Sequence, residues 1–414
     1  FQTLNPTGFR WDAIQALFHD RLVDTLGENL YKQIDLNYQE LSLNYRSTKN
    51  IVRLCNLIQA YRAAVFDIST LRPQQSWQTE AASPMPVWFD RNETTHWKQL
   101  QHEKDVTIIV PCMLNEEQGF VQKDEYLKSV VQTDDLGTPV NVLSPARAKG
   151  LEFGRVVLYG FADKEPEKLL ASLEKSDQDD DSLLPFEYFV NQLYVAASRP
   201  KRRLFIIDSQ KGRDSFWKIA NDEALQQKLW NRLSKGKEIW APHIGGFEIG
   251  TIDSWSEDRG DQEENARLFK QQGMVQHDPF LLRSAAVSYE NLGKSIEALE
   301  CRAHALNFEG RHVEAGEHFQ KAGMPTAALK CFWTAGTGAK DRILSLHKAY
   351  PDIGRELEYR LMQVLGRPTP ATVGSMMKDL ALRAKDDGGF SHRLASEPTF
   401  KDVIWAYGDF LQSA

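Results

Sequence analysis

Three short stretches in the first half of the chain carry residue types able to do chemistry together. They are 41–47 (LSLNYRS), 142–153 (VLSPARAKGLEF) and 191–199 (NQLYVAASR), the last followed by Pro200-Lys201-Arg202-Arg203. Each sets a cation among small or polar residues where a strand-like pattern meets a helix-like one. In an open α/β sheet such junctions line the crevice that binds ligands. Arg46, Lys149 and Arg199 are thus three cations that could converge on one polyanion. Arginine suits phosphate because its planar fork makes paired, charge-assisted bonds. One such cation alone reads as a surface ion pair; three at equivalent junctions point to phosphate binding.

Positioning them requires an α/β scaffold, and the sequence supplies one. Apolar residues recur at helical spacing over 11–26 (Ile14, Leu17, Phe18, Leu22, Val23) and over 48–66 (Ile51, Val52, Leu54, Leu57, Ile58, Tyr61). Strands are expected at 86–89, 106–111, 140–143, 156–160 and 204–207. Runs such as VTIIV, RVVLYGF and RLFIID are apolar on both faces, as in parallel strands covered by helices. The stretch 165–184, with Asp177, Asp179, Asp180 and Asp181, reads as a solvated loop.

Beyond about Asp208 the strand signals fade. Residues 238–255, with Pro242, Gly245, Gly246 and Gly250, read as a linker or a small β excursion. From Asp261 the chain is helical, and the phrases AAVSYENLG, ALNFEGRHVEAGEHFQKAG and AALKCFWTAG end in Gly293, Gly323 and Gly336. Gly310 and Gly338 add breaks, and small residues sit beside aromatics such as Tyr289, Phe308, Phe319 and Phe332. Glycine at a helix end permits a left-handed cap. The pattern fits tetratricopeptide-like helical hairpins of irregular period, with a non-repetitive bundle as the alternative. Residues 199–237 are rich in Lys and Arg, with Trp217 and Trp230 interleaved. They fit either a nucleic-acid rail or an amphipathic helix with a solvated basic face.

The 414 residues allow two or three domains, and 42% apolar with 26% charged residues excludes a disordered or fibrous chain. The net charge of −7 confines any nucleic-acid site to a local basic groove. The longest apolar run, 106–114, holds Pro111 and falls far short of the ~20 residues of a membrane span. Cys55, Cys112, Cys301 and Cys331 form no CxxC pair, so neither a disulfide framework nor a metal site is expected, and a reducing cytoplasmic or nuclear setting fits. No charged-then-apolar leader opens the chain. His312 and His318 read as residues of an exposed helix face. Ser144 and Ser198 have no histidine and acid in triad order, so hydrolase chemistry of that kind has no support.

The three stretches resemble, in order, motifs IV, V and VI of superfamily 1 helicases of the UvrD/Rep type: NYRS, AKGLEF and LYVAASR. The opening FQTLNPTGFRW is similar to the tail of motif III, so the chain reads as a piece of something longer. GLEFGRVVLYGF and the later helical phrases resemble most the tetratricopeptide- and ankyrin-repeat-containing UvrD-like helicases. The resemblance implies that 1–10 is a remnant of a first RecA-like domain and 11–210 a second one, an α/β domain with a parallel sheet and flanking helices. Residues 211–260 would be a linker or helical connector, and 261–414 an all-α, partly TPR-like domain.

The implied function is ATP-dependent translocation on, or unwinding of, nucleic acid, with ATP and Mg²⁺ bound mainly by the first RecA-like domain. The implied partners are single-stranded nucleic acid (DNA ahead of RNA), that first domain, and a protein docked on the helical repeats, with no membrane involved. Carried over residue by residue, Gln2 would sense the γ-phosphate, followed by Phe9, on which a base stacks, and Arg10. Arg46 and Arg199 would reach the γ-phosphate as arginine fingers. Glu152 would bind the ribose or organise the cleft, with Lys149 and Gly150 along the cleft floor or the nucleic-acid backbone. Ser144 and Arg147 would contact nucleic acid. Tyr45 and Tyr194 read as core packing.

Departures qualify this picture. Ala146 stands where motif V usually has histidine, Pro145 replaces an aliphatic residue, and the interval from NYRS to AKGLEF leaves no room for the helical insertion of Rep and UvrD. No G-x-x-x-x-G-K-[ST] occurs and no strand ends in Asp-Glu, so this chain alone is expected not to hydrolyse ATP. The alternative function is an ATPase switch, or a degenerate helicase working as an interaction scaffold, with defence against foreign nucleic acid one conceivable setting.

Overall fold

Valine, isoleucine and phenylalanine dominate the strand runs, and their burial on both faces follows from what covers them. The computed structural model describes residues 43–68, 71–77, 83–173, 180–233, 235–255 and 262–350. The motif III-like segment, the helix expected at 11–26 and everything after 350 lie outside the described residues. The chain divides into two units, Phe1–Asp261 and Gln262–Ala414.

In the first unit β1 (Leu43–Asn44) and β2 (Gln75–Ser76) form a small parallel pair. The main sheet holds β3 (Val87–Asp90), β4 (Val106–Ile109), β5 (Val142–Leu143), β6 (Phe153–Tyr159), β7 (Pro200–Asp208) and β8 (Glu248–Ile249). Its order is β5-β4-β6-β7-β3-β8, and all these pairings are parallel. Every residue of β4 and β6 is buried, as a doubly covered strand requires. The expected strands are present, but β6 and β7 start earlier: Phe153 pairs with Pro200, so the ends of the motif-like segments are themselves ladder.

Helix α1 (Lys49–Val65) matches the spacing over 48–66 and buries Ile51, Val52, Leu54, Leu57, Ile58 and Tyr61. Helix α2 (Asp180–Ala197) leads directly into β7. The stretch 165–184 is thus not all loop. Pro166–Ala171 is a helix whose Leu169 is buried, and α2 begins at Asp180.

The stretch 211–260, expected as a linker, packs instead into the α/β unit. Trp217 and Trp240 are buried, and Trp217 Nε1 donates to Asp208 Oδ2 at 2.6 Å. Strand β8 extends the sheet beside β3, with Gly250 N bonded to Trp88 O at 2.8 Å. Trp255 then stacks on Phe89, centroids 4.6 Å apart, while its carbonyl accepts from Arg155 Nη2. Aromatic burial and ladder pairing outweigh the local Pro and Gly signals.

The second unit runs through α3 (Gln262–Gln276), α4 (Pro279–Asn291), α5 (Ser295–Phe308), α6 (His312–Lys321), α7 (Pro325–Ala335) and α8 (Lys340–Ala349). Each of these helices packs on the next along the chain. Gly293, Gly310 and Gly323 have φ of 72°, 77° and 73°, and the same pair of bonds closes each helix end. Around Gly323 these are Met324 N to Phe319 O at 2.9 Å and Gly323 N to Gln320 O at 3.1 Å, the Schellman arrangement. The break expected at Gly336 and Gly338 is a 3₁₀ turn, Gly336–Ala339. Among the described residues no helix is long and apolar enough to cross a membrane.

Candidate functional site

Asn44 sets the geometry of the first stretch. Its Oδ1 accepts from Arg46 N at 2.9 Å and Ser47 N at 3.0 Å, a side chain completing a turn that the backbone leaves open. The turn is then fastened to the start of β7: Ser47 Oγ donates to Pro200 O at 2.7 Å and Thr48 N to Lys201 O at 3.0 Å.

This brings the three stretches together. Arg46 Nε meets Glu152 Oε1 at 2.6 Å, and its Nη1 donates to Ser198 O at 3.3 Å. Lys201 Nζ lies 3.8 Å from the other oxygen of Glu152. Arg199 sits beneath, fully buried, donating to Val195 O at 2.8 Å, Leu151 O at 3.2 Å and Ser198 Oγ at 3.0 Å. Burial, and then the positive charge of Arg46, push its pKa down to about 10, so it stays charged at neutral pH. The two arginines differ in kind: Arg46 keeps 27% of its side chain in solvent, whereas Arg199 is wrapped in carbonyls.

The cluster lies at the amino-terminal ends of β6 and β7, since Glu152 and Arg199 each precede the first strand residue. The general rule for open sheets, which favours the carboxyl ends, does not describe it. Lys149 is exposed and forms no ion pair among the described residues, so it does not join the cluster. Gly150 takes φ +88°, a conformation that side-chain-bearing residues avoid.

Ser144 and Arg147, expected to touch nucleic acid, are buried instead. Ser144 caps the short helix Pro145–Ala148, and Glu117 Oε1 accepts from Ser144 Oγ at 2.7 Å and Arg147 Nε at 3.1 Å. Arg147 Nη2 also donates to Asn115 Oδ1 at 2.6 Å. The buried Glu117 attracts both groups inward, and neither is presented to a ligand. Trp217 and Trp230 are likewise buried, so neither offers a face to a base along 199–237.

Tyr45 is the reverse case. Expected in the core, it is 61% exposed, and its ring lies 5.2 Å from that of Trp77, itself 60% exposed. It sits on the turn after β1, and Trp77 follows the partner strand β2, bonded through its N to Asn44 O at 2.8 Å. Tyr194 is buried as expected, with Arg62 over its ring at 5.7 Å. Gln2, Phe9 and Arg10 lie outside the described residues. Among the described residues no group of three or more His, Cys, Asp or Glu is arranged to hold a metal ion.

The site is therefore a half-exposed arginine on a carboxylate, a second arginine buried behind it, and an exposed aromatic pair at its side. Such a surface can offer a cation to an anion and a ring face to a planar group. No protein-family model and no curated protein matches this chain.

Proposed function

We propose that the first unit is the second, RecA-like domain of a superfamily 1 helicase or translocase of the UvrD/Rep type. In that role it closes over ATP held by a first RecA-like domain. The observation that carries this is the meeting of Arg46, Glu152 and the Ser198–Arg199 dipeptide, from three distant stretches, at one edge of a parallel sheet. Arg46, held by one exposed carboxylate, is placed to exchange that anion for a phosphate oxygen. Arg199 holds its charge below and fixes the loop carrying Glu152 through Leu151 O. The Tyr45–Trp77 pair beside Arg46 offers ring faces for the base.

The described residues fit ATP as the closing half of a site, supplying cation and ring, whereas Mg²⁺ finds no ligand set among them. ATP, when bound, supplies the scissile γ-phosphate. Arg46 then neutralises charge at that group, and the carboxylate it leaves is taken up by Lys201.

The test is ATP hydrolysis by the full-length protein with and without single-stranded DNA or RNA, beside Arg46→Ala. Strand-stimulated hydrolysis that drops by about 10³-fold or more in the variant, as for an arginine finger, supports the reading. Hydrolysis that ignores nucleic acid and survives the substitution defeats it.

A second reading is favoured by the second unit. Its successive helices carry ion pairs between alternate members, such as Lys270–Glu300 at 2.6 Å and Arg342–Glu317 at 2.5 Å. Such a TPR-like array suits a docking scaffold for which the ATPase acts as a switch. Tight protein binding with no effect of nucleic-acid strands on hydrolysis would favour it.

A further inference from the structure

We propose that the loop 111–116 is an apolar contact for the bases of a single nucleic-acid strand, made by Met113 and Leu114. This rests on the motor reading above.

The loop leaves the carboxyl end of β4, next to β5, from which Ser144 and Arg147 follow. Ser144 and Arg147 are buried, so they cannot themselves lie against a strand, and what they hold is this loop. Arg147 fixes Asn115, whose φ of +70° is strained for a residue with a side chain. Glu116 closes the turn from both sides: its Oε2 accepts from Met113 N, and its N donates to Met113 O, each at 3.1 Å. Glu117 ties the loop's far end to Ser144.

What this bracing displays is apolar. Met113 is 51% exposed and Leu114 49%. Tyr188 on α2 donates its hydroxyl to Met113 Sδ at 3.5 Å, and Leu184, one turn earlier on the same face, is also exposed. A fixed loop that holds two large apolar side chains in water has no folding reason to do so. A cation stands at its root: Lys164 Nζ donates to Pro111 O at 3.0 Å and is itself exposed. Apolar side chains against base faces with an ammonium nearby for phosphate is the pairing a single strand fits, without sequence preference. Motif V here lacks its usual histidine, and an apolar grip from the neighbouring loop takes the place of that backbone contact.

The test measures binding of a fluorescent oligothymidylate to the full-length protein over a salt series. It compares wild type, Met113→Ser with Leu114→Ser, and the conservative pair Met113→Leu with Leu114→Met. The serine pair is expected to weaken binding about tenfold, the scale of a lost base contact. The slope of log affinity against log salt, which counts neutralised phosphates, should stay unchanged. The conservative pair should bind like wild type. Wild-type affinity in the serine pair overturns the proposal and leaves the loop to a protein partner. A slope that falls with the affinity marks an ionic contact, and loss in the conservative pair marks a disturbed loop; either overturns it. If the wild type binds no strand at all, the motor reading fails and this inference with it, whereas binding that the serine pair leaves intact removes only the inference.

Discussion

Arg155 on β6 and Arg203 on β7 are register partners, both buried, with guanidiniums 5.4 and 5.5 Å from the centroid of the same Phe205 ring. Two like charges can share this interior because Arg155 meets Glu103 and Asp105, each at 2.7 Å, and because Trp255 and Ser254 turn their carbonyls toward the pair. Asp105→Ala, which leaves part of that charge unpaired, should cost about 3–5 kcal/mol in denaturant unfolding. Replacing Glu103, Asp105 and Arg155 together by leucine should recover most of that loss, since a packed apolar cluster competes well with a buried ion triad. A triple variant as unstable as the single would count against this account.

His96 gives the fold a pH dependence. Both its ring nitrogens are buried without a hydrogen-bond partner, between the rings of Phe89 at 5.1 Å and Trp97 at 5.2 Å. Burial pushes its pKa down from 6.5 to about 4, while Glu93 and Asp90 pull it partly back. Between those values the unfolded chain binds the proton and the folded one does not. The contribution is whole above about pH 6.5 and lost as pH falls toward 4. Urea midpoints measured across this range should fall less steeply for His96→Phe than for wild type.

Gly316 faces Phe332 so closely that an added Cβ would run into the ring. Gly316→Val should therefore destabilise the second unit by about 1–3 kcal/mol through overpacking. The reverse change on the partner, Phe332→Leu, should recover part of that loss if the contact is its cause.

Tyr45→Ala and Trp77→Ala remove exposed rings, so thermal unfolding should shift by no more than about 0.5 kcal/mol. Nucleotide affinity of the full-length protein should fall about threefold to tenfold, the worth of one ring contact. An unchanged affinity would remove the pair from the site.

The sheet was legible because its strands are covered on both faces, and unbroken apolar runs such as VTIIV permit little else. The meeting of Arg46 with the 198–199 segment was legible from residue type and position. Glu117 was not: it follows Glu116, and nothing in the pair tells that one is buried on Ser144 and the other exposed. Trp77 lay hidden in a polar tract, because what gives it a role is the β1–β2 pairing that sets it beside Tyr45. The stretch 248–255 was misread for the same reason. Two residues of edge strand carry no periodicity, and the burial of Trp255 depends on Phe89 and Phe205, far away in sequence.

That last stretch also decides where the polypeptide can be cut. Truncation at residue 247 would strip the sheet of its edge strand, take carbonyls from two interior guanidiniums and lift the indole off the Phe89 and Phe205 rings. A chain ended after residue 261 keeps all of these. A protease given the folded protein should accordingly spare the segment through Trp255, and the shortest first-unit fragment recovered intact should contain that tryptophan.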